Sequence, residues 1–217
     1  MPLSPPRGAR VGGWAGPAPA ARDGYKRPFD LALLGLALVL PAPLWLVLGT
    51  VIMIAIRLED GGPALYCQAR LGRGGTVFRI LKFRTMAVDA EAATGPVWAE
   101  RGDPRVTRVG RMLRRFHLDE LPQAVNVLRG EMSLVGPRPE RPELAARIER
   151  EVPGFSARLR VRPGIAGLAQ ANGAGWREPA LKLHYDLLYI DAMGPWLDLK
   201  LCVRCLAKAL RPRRRRP

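Results

Sequence analysis

Cysteine is scarce. Three residues (Cys67, Cys202, Cys205) in 217 are too few and too unevenly placed for a disulfide framework. Cys202 and Cys205 form a lone C-x-x-C, but no βαβ pattern surrounds it and no second pair completes a zinc site. Acid is in deficit too, with 19 Asp+Glu against 35 Lys+Arg and a formal charge of +16. That balance points to an acidic partner: nucleic acid, anionic lipid or a phosphorylated substrate. No aromatic-basic motif of the RNA-binding kind is present, which removes the main sequence support for the first of these. No cleavable secretory signal is visible either, because no apolar core begins until after Lys26 and Arg27.

What the chain does have is one long apolar run. From Phe29 to Ile56 the only charge is Asp30. About 28 residues, or ~42 Å as helix, exceed the hydrocarbon core of a bilayer. Pro41 and Pro43 interrupt the run near its middle and disfavour a straight helix. Arg22, Lys26 and Arg27 precede it and Arg57 with a basic region follows. Positive charge on both sides fits a helix-break-helix hairpin with both ends cytoplasmic; a Pro-kinked transmembrane helix is the alternative. Ahead of it, the Pro/Gly/Ala/Arg-rich residues 1–23 read as a disordered leader.

Beyond the run, Leu65 to Arg84 alternates short apolar stretches with Gly72, Gly74 and Gly75, the pattern of strands or a hairpin. Lys82 and Arg84 would share one strand face. Residues 106–116 predict a basic helix, with Arg105, Arg108, Arg111 and Arg115 in a stripe. A charged surface helix is predicted over residues 141–152, and two more helices from Trp176 onward, broken at Gly194-Pro195. The last carries Lys200, Arg204, Lys208 and Arg211 on one face, suited to an anionic lipid surface. Residues 212–217 form a basic tail.

Leu118-Asp119-Glu120-Leu121-Pro122-Gln123 is the chemical centre of the sequence. Apolar Leu121, Ala124, Val125 and Leu128 follow at helical spacing, so Asp119 reads as an N-cap, with both carboxylates at the positive end of a helix dipole and favoured as ions. Taken alone, this is ordinary helix grammar. With Arg111, Arg114 and Arg115 upstream and the rigid Ser133-Leu134-Val135-Gly136-Pro137-Arg138-Pro139 stretch downstream, it suggests chemistry on an anionic substrate. Residues 162–173, running from Arg162-Pro163-Gly164 to Gln170-Ala171-Asn172-Gly173, form a Gly-punctuated loop able to approach a ligand.

These motifs occur in a fixed order: Lys26-Arg27-Pro28-Phe29-Asp30, the broken apolar run, Gln68-Ala69-Arg70-Leu71-Gly72, Lys82-Phe83-Arg84-Thr85-Met86, the Asp119-Glu120 stretch, Gly136 to Pro139, and Arg162 to Gly173. In that order the chain resembles the bacterial sugar transferases known as monotopic polyprenyl-phosphate phosphoglycosyl transferases, from about Lys26 to Leu210. The resemblance implies an α+β, mostly helical protein. Its parts would be a re-entrant membrane hairpin (residues 24–57), a catalytic domain (58–211) on the cytoplasmic face of the bacterial inner membrane, a short β element and amphipathic interfacial helices. It implies transfer of sugar-1-phosphate from a UDP-sugar to undecaprenyl phosphate with release of UMP, the first step of exopolysaccharide, O-antigen or glycoconjugate assembly. Asp119 would be the nucleophile that forms a covalent phosphosugar intermediate, Glu120 its assistant, and Mg²⁺ would sit on both. Lys82, Arg84, Arg114, Gly136, Pro137, Arg138, Pro139, Arg162, Gln170 and Asn172 would contact substrate. Phe116-His117 departs from the small hydroxyl residues of many relatives. Anionic lipids are the expected surface partner, a homodimer is compatible with these features, and nucleic acid is not expected. A basic nucleic-acid-binding protein with a membrane anchor is the competing interpretation; it explains the charge but not the 29–56 segment.

Overall fold

A computed structural model describes residues 23–39, 41–92, 95, 97–100 and 102–210; the predicted leader, apart from Asp23, and the basic tail lie outside the described residues. The protein is mostly helical, with two small sheets. Helices α1 (Lys26–Val39) and α2 (Ala42–Asp60) form the apolar run, parted where Pro41 and Pro43 cannot donate to a continuous helix. Trp45 Nε1 donates to the Ala37 carbonyl at 2.7 Å across the break, tying the arms together. α2 is long and apolar enough to cross a membrane by length and composition.

Each arm buries only its root. On α1 the buried positions are Lys26, Asp30 and Leu34, one residue per turn on one side. On α2 they are Ile52 and Ile56, in its second half. Between the roots Leu36, Val39, Leu44, Leu46, Val47 and Val51 are exposed, Leu46 by 73%. A projecting apolar tip of that kind is stable only against another apolar phase or surface.

Both roots rest on the same body. Strands β1 (Leu65–Leu71) and β2 (Val77–Phe83) make the expected antiparallel hairpin, with Leu65 opposite Phe83 and Leu71 opposite Val77. Leu34 packs with Phe78 and Ile80 of β2 and with Val127 and Met132, and Ile52 and Ile56 pack with Phe83 at the end of β2 and with Ala64 and Leu113. Fully burying such a side chain contributes about 1.5–3 kcal/mol. Helices α3 (Arg108–Phe116) and α4 (Gln123–Leu128) flank β2. A second sheet pairs β3 (Ser133–Val135) with β4 (Gly164–Ala166) in parallel. Around it lie α6 (Leu168–Ala171), α7 (Pro179–Ala192) and α8 (Pro195–Leu210), while α5 (Pro142–Glu151) packs through Ala145 on Leu71 and Val77 of the first hairpin. Val135, Val161, Tyr189, Ile190, Met193 and Leu201 fill the core between β3, α7 and α8. All three cysteines are free thiols.

Candidate active site

The acid pair lies on a reversal, which corrects the N-cap expectation. α3 begins properly capped, Thr107 Oγ1 accepting from Gly110 N at 2.9 Å, and ends at Phe116. His117 then turns left-handed (φ 57°), its N–H donating to the Leu113 carbonyl. Histidine tolerates that region better than most residues with a side chain, and the turn sends Leu118–Glu120 into one 3₁₀ turn. The next helix starts only at Gln123, with Pro122 in the capping position and no side-chain cap. Asp119 therefore caps nothing. Leu118 and Leu121 pack beside Ile52 and Ile56, and the carboxylates between them meet β2 and the loop after β3.

The pKa values of the two carboxylates shift in opposite directions. Glu120 Oε1 lies 3.3 Å from Lys82 Nζ, and both its oxygens accept from Arg138, Oε2 at 3.2 Å. Burial alone would raise the Glu120 pKa, but Arg138 and Lys82 hold it well below the usual carboxylate range. Asp119 is 8% exposed, and among the described residues no side chain or backbone group hydrogen-bonds to it. Its pKa is raised by burial and by Glu120, against the pull of Lys82, Arg138 and Arg114. So the dipole-stabilised ion expected for both acids holds in direction for Glu120 only, and the cause there is the fork of cations. Burial lowers the Lys82 pKa, which Glu120 opposes. Glu120 raises that of Arg138.

Two backbones converge to build the loop that carries Arg138. Gly136 N donates to Ala166 O at 2.8 Å and Gly164 N to Pro137 O at 3.0 Å. A Cβ on either glycine would collide with the opposite backbone, so the close approach demands both. Behind the loop, Arg158 Nη2 donates to Arg138 O at 2.8 Å and Arg70 Nη1 to Pro139 O at 3.1 Å. Arg158 is paired with Asp186 at 2.6 Å, and Lys182 with Glu140. Burial brings Lys182 down to about 8 and Arg70 to about 10, partly offset by Glu140. This buried network escaped sequence reasoning. Its one visible signal is Lys182 and Asp186, an i, i+4 pair on an otherwise apolar helix face.

Of the substrate residues expected from the sequence, the structure brings Lys82, Arg114 and Arg138 to the acids, and Gly136, Pro137 and Pro139 form the loop that carries Arg138. Arg114 lies close enough to Asp119 for each to shift the other, and its Nε donates to Thr85 Oγ1 at 2.8 Å. Arg84 follows the last residue of β2 and pairs instead with Asp60 at the foot of α2. Arg162 faces Asp23 at 3.9 Å. Gln170 donates to Ile165 O and Asn172 to Leu168 O, each bracing its own turn.

The structure thus sets an exposed apolar arm and a cation-lined acid pair on one body. The chain belongs to the bacterial sugar transferase family, whose model matches residues 21–212. It is 43% identical over 201 residues to the UDP-glucose:undecaprenyl-phosphate glucose-1-phosphate transferase of Caulobacter vibrioides, covering 90% of this chain and 73% of that protein. It is 44% identical over 184 residues to the undecaprenyl-phosphate glucose phosphotransferase of Komagataeibacter xylinus, covering 81% of this chain but 34% of that protein. It is 40% identical over 188 residues to the UDP-N-acetylgalactosamine-undecaprenyl-phosphate N-acetylgalactosaminephosphotransferase of Aeromonas hydrophila, covering 85% of this chain and 43% of that one. None of these relatives is named for nucleic-acid binding, and the competing interpretation gains no support.

Proposed function

We propose that this protein transfers sugar-1-phosphate from a UDP-sugar to undecaprenyl phosphate and releases UMP, through a covalent intermediate on Asp119. The observation that carries this reading is the division of labour between the acids. Glu120 is fully engaged by Lys82 and Arg138, while the adjacent Asp119 is buried, unengaged and surrounded by cations. An Asp119 oxygen attacks the phosphorus that bears the sugar. The bond from that phosphorus to the bridging oxygen breaks, and UMP leaves with the electron pair. An oxygen of undecaprenyl phosphate then attacks the same phosphorus, the acyl phosphate bond breaks, and the Asp119 carboxylate is restored.

Like-charge repulsion is the main obstacle to a carboxylate attacking a diphosphate, and Lys82, Arg114 and Arg138 are placed to neutralise it. Glu120 keeps Lys82 and Arg138 oriented, and the Gly136–Pro139 loop holds Arg138 against the nucleotide. Mg²⁺ fits at Asp119, the carboxylate left without a hydrogen bond; Glu120, held on both oxygens by Arg138 and Lys82, would reach the ion only by exchanging one of those contacts. Among the described residues no group of three His, Cys, Asp or Glu side chains forms, so phosphates and water would fill the other positions. Bound there, Mg²⁺ would neutralise phosphate charge.

The rooting of α1 and α2 on one body supports a re-entrant hairpin on the cytoplasmic face of the bacterial inner membrane, since a straight crossing would part the two roots. Trp196, Val203 and Leu206 on α8, and Met112 and Phe116 on α3, are exposed beside Lys200, Arg204, Arg111 and Arg115. Such faces suit an anionic leaflet, at ~1 kcal/mol per basic residue near the surface. A two-step exchange at that interface lets a water-soluble donor and a lipid-embedded acceptor use one nucleophile in turn.

The test is UMP release from a panel of UDP-sugars with undecaprenyl phosphate in lipid nanodiscs. Wild type turns over with Mg²⁺ and stops under chelation, and Asp119→Asn is inactive. Turnover by that variant would reject the assignment. Cysteine labelling at both ends of the hairpin should report one side of the membrane; opposite sides would reject re-entry.

A further inference from the structure

The foot of α2 breaks a local rule. Glu59 and Asp60 occupy the C-terminal turn of a helix, where the dipole favours cations and disfavours acids. Both carboxylates are used elsewhere. Glu59 Oε1 accepts from Arg108 N at 2.6 Å and Oε2 from Val109 N at 3.0 Å, the first two amides of α3. Asp60 pairs with Arg84, just past the end of β2. With Thr107 serving Gly110 N, three amides at the start of α3 are satisfied, two of them by a residue from the membrane arm. α3 then lies directly on the strand exit. Thr107 N donates to Thr85 O at 3.1 Å, and a Cβ on Gly110 would overlap the Thr85 backbone. At its other end α3 carries Arg114 and, through the left-handed His117, the turn with Asp119. Leu113, Leu118 and Leu121 from that end return to Ile52 and Ile56 on α2. The membrane arm thus grips α3 at both ends.

We propose that Glu59 and Asp60 are positioning residues for the transfer reaction: they transmit the placement of the hairpin in the membrane to the nucleophile turn by clamping α3 and the Arg84–Thr85 strand exit. Resting on the transferase reading above, this adds a role outside the acid site. At 1.5 Å per residue, α3 puts about 12 Å between the amides that Glu59 caps and the turn that carries Asp119, too far for Glu59 to touch the reacting phosphate. Its effect must travel through α3. A displacement of about 1 Å at a reacting group can cost on the order of a hundredfold in rate.

The experiment measures steady-state UMP release in nanodiscs for wild type, Glu59→Ala, Glu59→Gln, Asp60→Asn, Thr107→Ala and Asp119→Asn, all well below their melting temperatures. Glu59→Ala should lower kcat by about tenfold or more, with KM for the UDP-sugar within about twofold, because Lys82 on β2 and Arg138 in the loop after β3 stay in place. Asp60→Asn should lower kcat in the same way. Glu59→Gln keeps one acceptor oxygen and should recover most of the rate. Thr107→Ala removes the cap on Gly110 N and one hydrogen bond to Glu59 but leaves Glu59 on both α3 amides, and should lose less kcat than Glu59→Ala. Wild-type kcat in Glu59→Ala, no recovery in Glu59→Gln, or equal kcat losses in Glu59→Ala and Thr107→Ala would each overturn the clamp. Turnover by Asp119→Asn would instead overturn the transferase reading, so the two failures are distinguishable.

Discussion

Lys26→Met tests how firmly the membrane arm is rooted in the catalytic body. The Lys26 side chain is 3% exposed and Asp198 fully buried, with Nζ and Oδ2 2.7 Å apart. Lys26 Nζ also donates to the Val135 carbonyl at 2.7 Å and to Tyr189 OH at 3.1 Å. Methionine keeps most of the stem and removes only the charged head. Removing one partner of a buried ion pair typically costs about 3–5 kcal/mol, because the other charge is left without compensation. Here Asp198 keeps two donors, Tyr25 OH at 2.8 Å and Tyr189 OH at 2.9 Å, which places the cost near the lower figure. About 3 kcal/mol in a chain of this size is a fall in melting temperature of about 6–12 °C. Thermal unfolding in nanodiscs, followed by intrinsic tryptophan fluorescence, measures it. Adding Asp198→Asn removes the orphaned charge, so the double variant should regain at least half of the loss. A single variant within 2 °C of wild type, or a double variant no more stable than the single, would refute the reasoning.

The neighbouring acids should respond oppositely to neutralisation. The folded pKa of Asp119 is raised, so its stabilising contribution belongs to the protonated form and is lost as pH rises through that value. At pH 8 Asp119→Asn should therefore melt at or above wild type while inactive; a clear fall would contradict the burial argument. The folded pKa of Glu120 is depressed, so its contribution is present above the unfolded carboxylate value and lost as pH falls through the folded one. Glu120→Gln should cost about 2 kcal/mol at pH 8, discounted from a fully buried pair because Arg138 is 32% exposed, and shows as about 4–8 °C of melting temperature. The acid limb of kcat/KM for UMP release should fall at a pH above the ordinary aspartate range, because free-enzyme Asp119 must ionise to attack; full activity down to pH 4 would contradict this. Arg138→Ala should lower kcat/KM by about a hundredfold, whereas Arg84→Ala, which breaks the pair with Asp60, should lower kcat as Asp60→Asn does and leave KM for the UDP-sugar little changed.

Much of this was legible from residue pattern, because the signals were local. Glycines at 72, 74 and 75 marked the β1–β2 hairpin, the arginine stripe marked α3, and Pro41 with Pro43 marked the break between the arms. The acid turn was not legible in the same way. Asp-Glu-Leu-Pro ahead of an apolar repeat reads identically whether the aspartate caps a helix or sits on a 3₁₀ turn. What decides between them is a left-handed His117, which side-chain chemistry does not announce. Lys82 and Arg84 looked equivalent at alternate positions. The strand ends between them at Phe83, so one reaches Glu120 and the other Asp60. Glu140, Lys182 and Asp186 drew no reading from the sequence, because nothing in one dimension shows that they and Arg158 bury one another.

Intact-protein and peptide mass spectrometry after mixing the enzyme with UDP-sugar and Mg²⁺, with undecaprenyl phosphate withheld, bears most directly on Asp119. One sugar phosphate per chain should appear on the peptide containing Asp119, with a matching burst of UMP, and later addition of undecaprenyl phosphate should discharge it into product. An unmodified Asp119 in a preparation that forms product at its normal rate, or UMP that appears only once the lipid acceptor is present, would contradict covalent transfer through this residue.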